Sequence, residues 1–173
     1  INGKDAGDPS SVSESFHFDV NQGVQGLRLG YDPALLEGPE KEFDRAALHA
    51  AERAGATLVK TSVPNIDNTM LLIPLFVEAS AAFEELTRSN QDDLLVWQDD
   101  ESWPNSFRQS WLIPAIEYMQ ASRLRREIMQ QMHEWMNGDF DAFLTPSFSD
   151  LLLTTNGTGH PALVLRTGMP SDK

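Results

Sequence analysis

The sequence has no cysteine. That removes disulfides, thiolate zinc sites and cysteine nucleophiles together. It also lacks any apolar run near the ~18–20 residues that a membrane-spanning helix needs. The best stretch, 70–77, is short and contains Pro74. Basic residues are scarce: 13 Lys and Arg stand against 26 Asp and Glu, a formal net charge of −13. A surface that negative repels phosphate backbones, which argues against a nucleic-acid groove unless charge is locally segregated. There is no Gly-x-Ser-x-Gly elbow, no Gly-Gly-Ser-Ser cluster and no Walker-type loop. The opening, Ile1-Asn2-Gly3-Lys4-Asp5, has neither an initiator Met nor signal-peptide architecture. A longer polypeptide, of which this is a section, is the expectation.

What remains reads as globular, with 40% hydrophobic and 9% aromatic residues over 173 positions. That length suits one domain able to bury about 70% of its unfolded surface. Residues 1–25 are rich in Asp, Ser and Gly and read mostly as loop, with a turn at Asp8-Pro9-Ser10. Leu27-Arg28-Leu29-Gly30-Tyr31 alternates as a strand does. Pro39, Glu40 and Glu42 suit a helix start. From Phe43, Ala46, Ala47, Ala50 and Ala54 recur at helical spacing and predict a closely packed face, stopped by Gly55. With the β-rich run 57–63, residues 26–64 make a βαβ unit with a parallel pair. Residues 65–114 read as helical with an acidic connection: a helix over 66–90 kinked or split at Pro74, then an exposed connection over 91–105 containing a short helix. In 115–173, the spacing of Tyr118, Ala121, Leu124, Ile128, Met132 and Trp135 predicts a long helix ended by Gly138. A short strand over 142–145, a Gly/Thr/Asn loop over 154–159 and a final strand over 162–165 complete the chain. The sum is an α/β fold, a mixed sheet flanked by helices.

Residues that could carry chemistry are few. His49 and Glu52 share a helical face, but no second pair completes a metal site, and His133-Glu134 lacks the second histidine of a metalloprotease helix. Ser10 and Ser11 follow Asp8-Pro9 and read as turn caps. His17 lies between phenylalanines in a loop. Trp97, Trp103, Trp111 and Trp135 are irregularly spaced among acids, which favours packing over base stacking. Asn156-Gly157-Thr158 matches the glycosylation triplet with no secretory signal to support it. His160, in Gly157-Thr158-Gly159-His160-Pro161, has the richest surroundings. Composition and spacing by themselves stop at an acidic α/β domain.

Taken in order, four segments resemble the amidase signature family downstream of its catalytic signature. The stretch from Ile1-Asn2-Gly3-Lys4 to Asp8-Pro9-Ser10 is similar to the helix end and Asp-Pro turn after the family's active-site segment. The βαβ unit resembles its βαβ step. Glu117-Tyr118-Met119-Gln120-Ala121-Ser122-Arg123-Leu124-Arg125-Arg126, running on to Asp141-Ala142-Phe143-Leu144-Thr145-Pro146, resembles its long helix and "Asp-x-x-Leu-Thr-Pro" strand. Asn156-Gly157-Thr158-Gly159-His160-Pro161-Ala162 resembles its "Asn-x-Thr-Gly-x-Pro-Ala" loop.

The resemblance implies a cytoplasmic hydrolase of carboxamide C–N bonds, with a small-molecule amide substrate and no metal or organic cofactor. The net charge and the lack of a spanning run argue against a direct nucleic-acid or membrane partner, and a homodimer stays open. In that family a lysine activates a cis-configured serine, which relays the proton of a nucleophilic serine; an acyl-enzyme forms and water releases it. Those motifs lie upstream of the part resembled, and Lys4 and Lys60 stand in the wrong contexts, so no catalytic residue is expected here and the 173 residues alone should be inactive. Gly157 replaces a usual larger apolar residue, and Arg166 stands where proline is common. The family continues past the 169–173 match into a further strand and helix, so a partial domain with open sheet edges is expected. Its contribution is one wall of the cleft. Thr145, before Pro146, sits at the carboxyl end of a strand, where open α/β sheets bind ligands. Asn156, Thr158, Gly159 and His160 lie in a loop whose backbone donors and glycines permit close approach. Arg108, Trp111 and Tyr118 are further candidates to shape an acyl pocket. Two other readings stand beside this one: a non-catalytic binding module of amidase-like architecture, and a subunit of a transfer-RNA amidotransferase.

Overall fold

A computed structural model describes residues 3–9, 11–13, 15, 17–19 and 21–168. The readings placed on Ile1-Asn2, on Ser10 and on 169–173 lie outside the described residues. Strands β1 (Arg28–Tyr31), β2 (Thr57–Lys60) and β3 (Ala142–Leu144) form one sheet in the order β2-β1-β3. Both pairings are parallel, with Gly30 opposite Val59 on one side and Phe143 on the other. The α/β class stands; the sheet expected to be mixed is wholly parallel among the described residues.

Helix α1 (Lys41–Arg53) connects β1 to β2 and completes the expected βαβ unit. Gly55 ends it at φ 106°, a conformation only glycine takes without strain. The packed face is not the expected alanine row. Ala46, Ala50 and Ala54 are exposed, whereas Leu48 is buried and Phe43, Ala47 and Ala51 are half-buried. Leucine and phenylalanine remove more apolar area from water than alanine does, so they set the helix's rotation.

The other α-helices among the described residues are α2 (Leu72–Ala82), α3 (Glu84–Arg88), α4 (Trp103–Ser110), α5 (Ala115–Met136) and α6 (Leu151–Thr158). Among the described residues no helix is long and apolar enough to cross a membrane. Pro74 neither kinks nor splits α2. It is the third helical residue, where its missing N–H has no intrahelical bond to lose, and it is buried. The break falls at Phe83 (φ −105°, ψ 24°), between α2 and α3. Helix α5 follows the expected apolar spacing and buries Ala121, Ile128 and Met132. Ile128 and Met132 form the core with Leu71 and Leu151, joined by Leu124, Trp135 and Phe143.

The C-terminal segment departs most from expectation. Residues 154–158 belong to helix α6, not a loop, and 162–165 has no regular secondary structure. Threonines are indifferent helix formers, but here the hydroxyls of Thr154, Thr155 and Thr158 bond to the carbonyls four residues back, at 3.3, 2.8 and 2.8 Å. Gly157 is needed inside the helix because a Cβ there would lie 2.8 Å from Leu71 Cδ1. Gly159 (φ 78°) terminates α6, and the N–H groups of Gly159 and His160 both donate to the Thr155 carbonyl.

The sheet and α5 meet through an aromatic cluster. The Trp135 ring lies 5.2 Å from Phe140 and 4.7 Å from Phe143. A Cβ at Gly30 would lie 2.8 Å from Phe140 Cγ and 3.0 Å from Phe143 Cδ2. Beside it, Asp141 accepts from the Arg28 backbone N–H (2.9 Å) and from its guanidinium (2.8 Å). These hydrogen bonds hold the Asp141 carboxyl below its ordinary pKa.

Two outcomes follow. Gly30→Ala should lower stability by about 1–3 kcal/mol through overpacking, while Gly38→Ala, whose Cβ meets nothing within 4 Å, should change it by less than about 0.5 kcal/mol, both read from urea unfolding. The Asp141 pKa lies lower folded than unfolded (about 3.9), so the pair's contribution is complete above that value and is lost as pH falls through the folded pKa. Asp141→Asn should therefore flatten the acid limb of the stability profile below about pH 4 and leave its slope near neutrality unchanged.

Candidate functional site

The carboxyl ends of the strands are tied by short polar side chains. Asp32, just past β1, accepts from Ala34 N–H through one carboxylate oxygen and from Val63 N–H through the other, each at 2.9 Å, so β1 and the segment after β2 leave the sheet together. Past β3, the half-buried Thr145 hydroxyl lies 2.9 Å from Ser149 Oγ. Asn68 donates to the Asp150 carbonyl and to Thr154 Oγ1, both at 3.0 Å, which anchors the start of α6.

The far end of α6 carries the arrangement with the most chemical content. Thr158 Oγ1 lies 2.8 Å from both the Thr154 carbonyl and His160 Nδ1. A hydroxyl has one proton, and the carbonyl can only accept. Both contacts are made only if Thr158 donates to Thr154 and His160 donates from Nδ1, which leaves Nε2 of the neutral ring as an acceptor. The Thr158 hydroxyl is buried and its proton is engaged, so it is no nucleophile activated by histidine. Among the described residues, no serine hydroxyl is hydrogen-bonded to an imidazole or a lysine amine.

Arg125 on α5 fixes this end from outside. Its Nε donates to the Gly157 carbonyl at 2.6 Å, and its Nη1 lies 3.2 Å from Glu78 Oε1, which also accepts from Tyr118 OH at 3.3 Å. A cation at a helix C-terminus is favourable, and here it bonds the carbonyl directly.

The expected site residues therefore fall into two groups: Thr145 with Ser149 beyond β3, and Asn156, Thr158, Gly159 and His160 at the end of α6. Asn156 and Gly159 are exposed, Thr158 is buried and His160 half-buried. The backbone donors expected from 156–161 are not free at Gly159 and His160, since both bond Thr155, and Pro161 has none. What the segment offers is side-chain chemistry: the His160 Nε2 acceptor and the Asn156 amide. Of the other candidates, Arg108 forms ion pairs with Asp92 and Asp93 (both 2.7 Å), and Arg108 and Trp111 line one shallow cleft with Thr87 and Arg88. Tyr118 belongs instead to the Glu78–Arg125 network, so the three do not make one pocket. His49 and Glu52 form an exposed pair at 3.7 Å, and among the described residues no three His, Asp or Glu gather as a metal site.

Sequence reading missed the role of Arg125, one of three arginines in the stretch 123–126. Its partner, Glu78, is on α2, 47 residues away. Only the presence of arginines amid an apolar stripe hinted at it. The tautomer assignment is directly measurable. Imidazole ¹⁵N shifts should show His160 protonated at Nδ1 when neutral. Thr158→Val should move that proton to Nε2 and cost about 1 kcal/mol; an Nε2–H tautomer in the unaltered protein would contradict the arrangement.

No family model matches the chain. No solved structure matches it either. Among curated proteins it is similar to a glutamyl-tRNA(Gln) amidotransferase subunit of Janthinobacterium sp. (strain Marseille), with 39% identity over 83 residues, 44% of this chain. The match spans 16% of that relative's length.

Proposed function

We propose that this chain belongs to an amide-processing enzyme of amidase signature type, and that it forms one wall of the cleft in which a carboxamide C–N bond is broken. The observation that carries this reading is the 39% identity to an amidotransferase subunit of amidase signature type. The chemistry of the α6 terminus supports it. The His160 Nε2 lone pair can accept an N–H of a carboxamide, and the exposed Asn156 amide can donate and accept. Thr145 and Ser149 supply hydroxyls at the carboxyl end of β3, where parallel sheets bind ligands. Arg125 acts as a positioning residue by fixing the Gly157 carbonyl, and with it the turn that carries His160.

The nucleophile in this proposal comes from outside these residues. Its alkoxide attacks the amide carbonyl, amine or ammonia leaves with a proton, and water hydrolyses the ester. The setting proposed is cytoplasmic, with small carboxamides as substrates and no cofactor. A second reading is favoured by the relative's name: the released ammonia is passed to a glutamyl acceptor instead of solvent.

The test is ammonia release from simple aliphatic amides by the polypeptide as its natural gene encodes it, with fluorophosphonate labelling. Turnover is expected, with the label on a serine outside these 173 positions, and none from the 173-residue chain alone. A labelled serine within the chain would overturn the assignment. Turnover that appears only with a glutamyl acceptor and partner subunits would favour the second reading.

A further inference from the structure

Residues 91–105 take no part in the proposed cleft, and they are built in an unusual way. The loop after the 3₁₀ turn Gln91–Leu94 is held by its polar groups. Asp92 is 1% exposed and paired with Arg108. Gln98 donates to the carbonyls of Asp92 and Leu95, both at 2.8 Å, and Asn105 to those of Gln98 (2.9 Å) and Asp99 (3.0 Å). The Trp97 indole N–H is held by the Asp99 carboxylate. Asp92 is the buried anchor of the loop, whereas Gln98 and Asp99 are exposed and so are its apolar side chains: Leu94 is 81% exposed, Val96 103% and Trp97 59%. Folding gains nothing from apolar groups placed there, while holding them in a fixed array removes much of the ordering cost of binding.

The charges around them narrow the occupant. Asp93, Asp99, Asp100 and Glu101 are exposed, and the neighbouring cation, Arg108, is already shared by Asp92 and Asp93. The rim is therefore negative. Phosphate-bearing surfaces, whether nucleic acid or anionic membrane, are repelled by it, and a second copy of this chain carries the same net −13. We propose that 93–101 is a docking ridge for a partner protein whose surface presents an apolar groove rimmed by lysine or arginine, with Val96 and Trp97 as the anchors. The inference does not depend on the amidase reading.

The test uses the polypeptide as its natural gene encodes it and a synthetic amphipathic helical peptide of leucine and lysine, with a leucine/glutamate version and polylysine as controls, followed by calorimetry. Val96→Ser removes a wholly exposed side chain and leaves the fold intact, as circular dichroism will verify. The leucine/lysine peptide should bind. Val96→Ser with Trp97→Ala should weaken binding by about tenfold or more, the loss of a central anchor. Asp100→Asn with Glu101→Gln should weaken it and flatten its salt dependence. Val164→Ser, at an exposed site elsewhere, should leave it unchanged. The proposal is overturned if the leucine/lysine peptide does not bind, if it binds the ridge variants equally well, or if polylysine or the leucine/glutamate peptide binds as tightly. It is also overturned if sedimentation shows a dimer that Val96→Ser dissolves, since the occupant would then be a second copy.

Discussion

A strand of four residues can seat two neighbours and the end of a 22-residue helix only if its helix-facing side is nearly flat, and Gly30 makes it so. With no Cβ at that position, the Phe140 and Phe143 rings rest against the β1 backbone and Trp135 from α5 closes on both. Polar ties then fix the ends of the strand. Arg28 and Asp141 join its start to the turn before β3, and Asp32 joins its finish to the chain leaving β2. The order β2-β1-β3 follows from this seating, because the aromatic cluster holds β3 against one edge of β1 while the α1 crossover returns β2 to the other.

The same seating carries through to the candidate site. Once the end of α5 is fixed on the sheet, Arg125 is aimed across its flank at the end of α6, and Leu71 fills the space against Gly157. Helix α6 is thereby held at both ends, by Asn68 at the first and Arg125 at the last. What this secures is the position of His160, a side chain just past a helix terminus that would otherwise fray.

Elements whose signal is local were legible in the sequence. The βαβ unit shows in the alternation at Leu27-Arg28-Leu29 and in the stop at Gly55. Helix α5 shows because six apolar positions keep the period. Elements decided by distant partners were not. Thr154-Thr155-Asn156-Gly157-Thr158 has poor helix propensity, and packing overrides it: Leu151, Thr154 and Thr158 are buried, Asn68 and Arg125 hold the two ends, and glycine at 157 lets Leu71 approach. Pro74 looked like a break because its place relative to the helix start depends on the preceding turn. Asp92 looked like part of a solvated charge run until α4 brought Arg108 to it. At the site, Thr158 and His160 are two residues apart and could be read together. The Glu78–Arg125 pair joins two helices and leaves no local mark.

We propose that the segment from β3 to the end of α6 faces the reacting serine of an amide-cleaving cleft. A fluorophosphonate bearing a diazirine on its acyl-side chain tests it in the natural full-length protein, since the phosphonate marks the serine and light then marks whatever lies across from it. The account predicts a photo-adduct within residues 145–160. Adducts found only elsewhere in the polypeptide would contradict it.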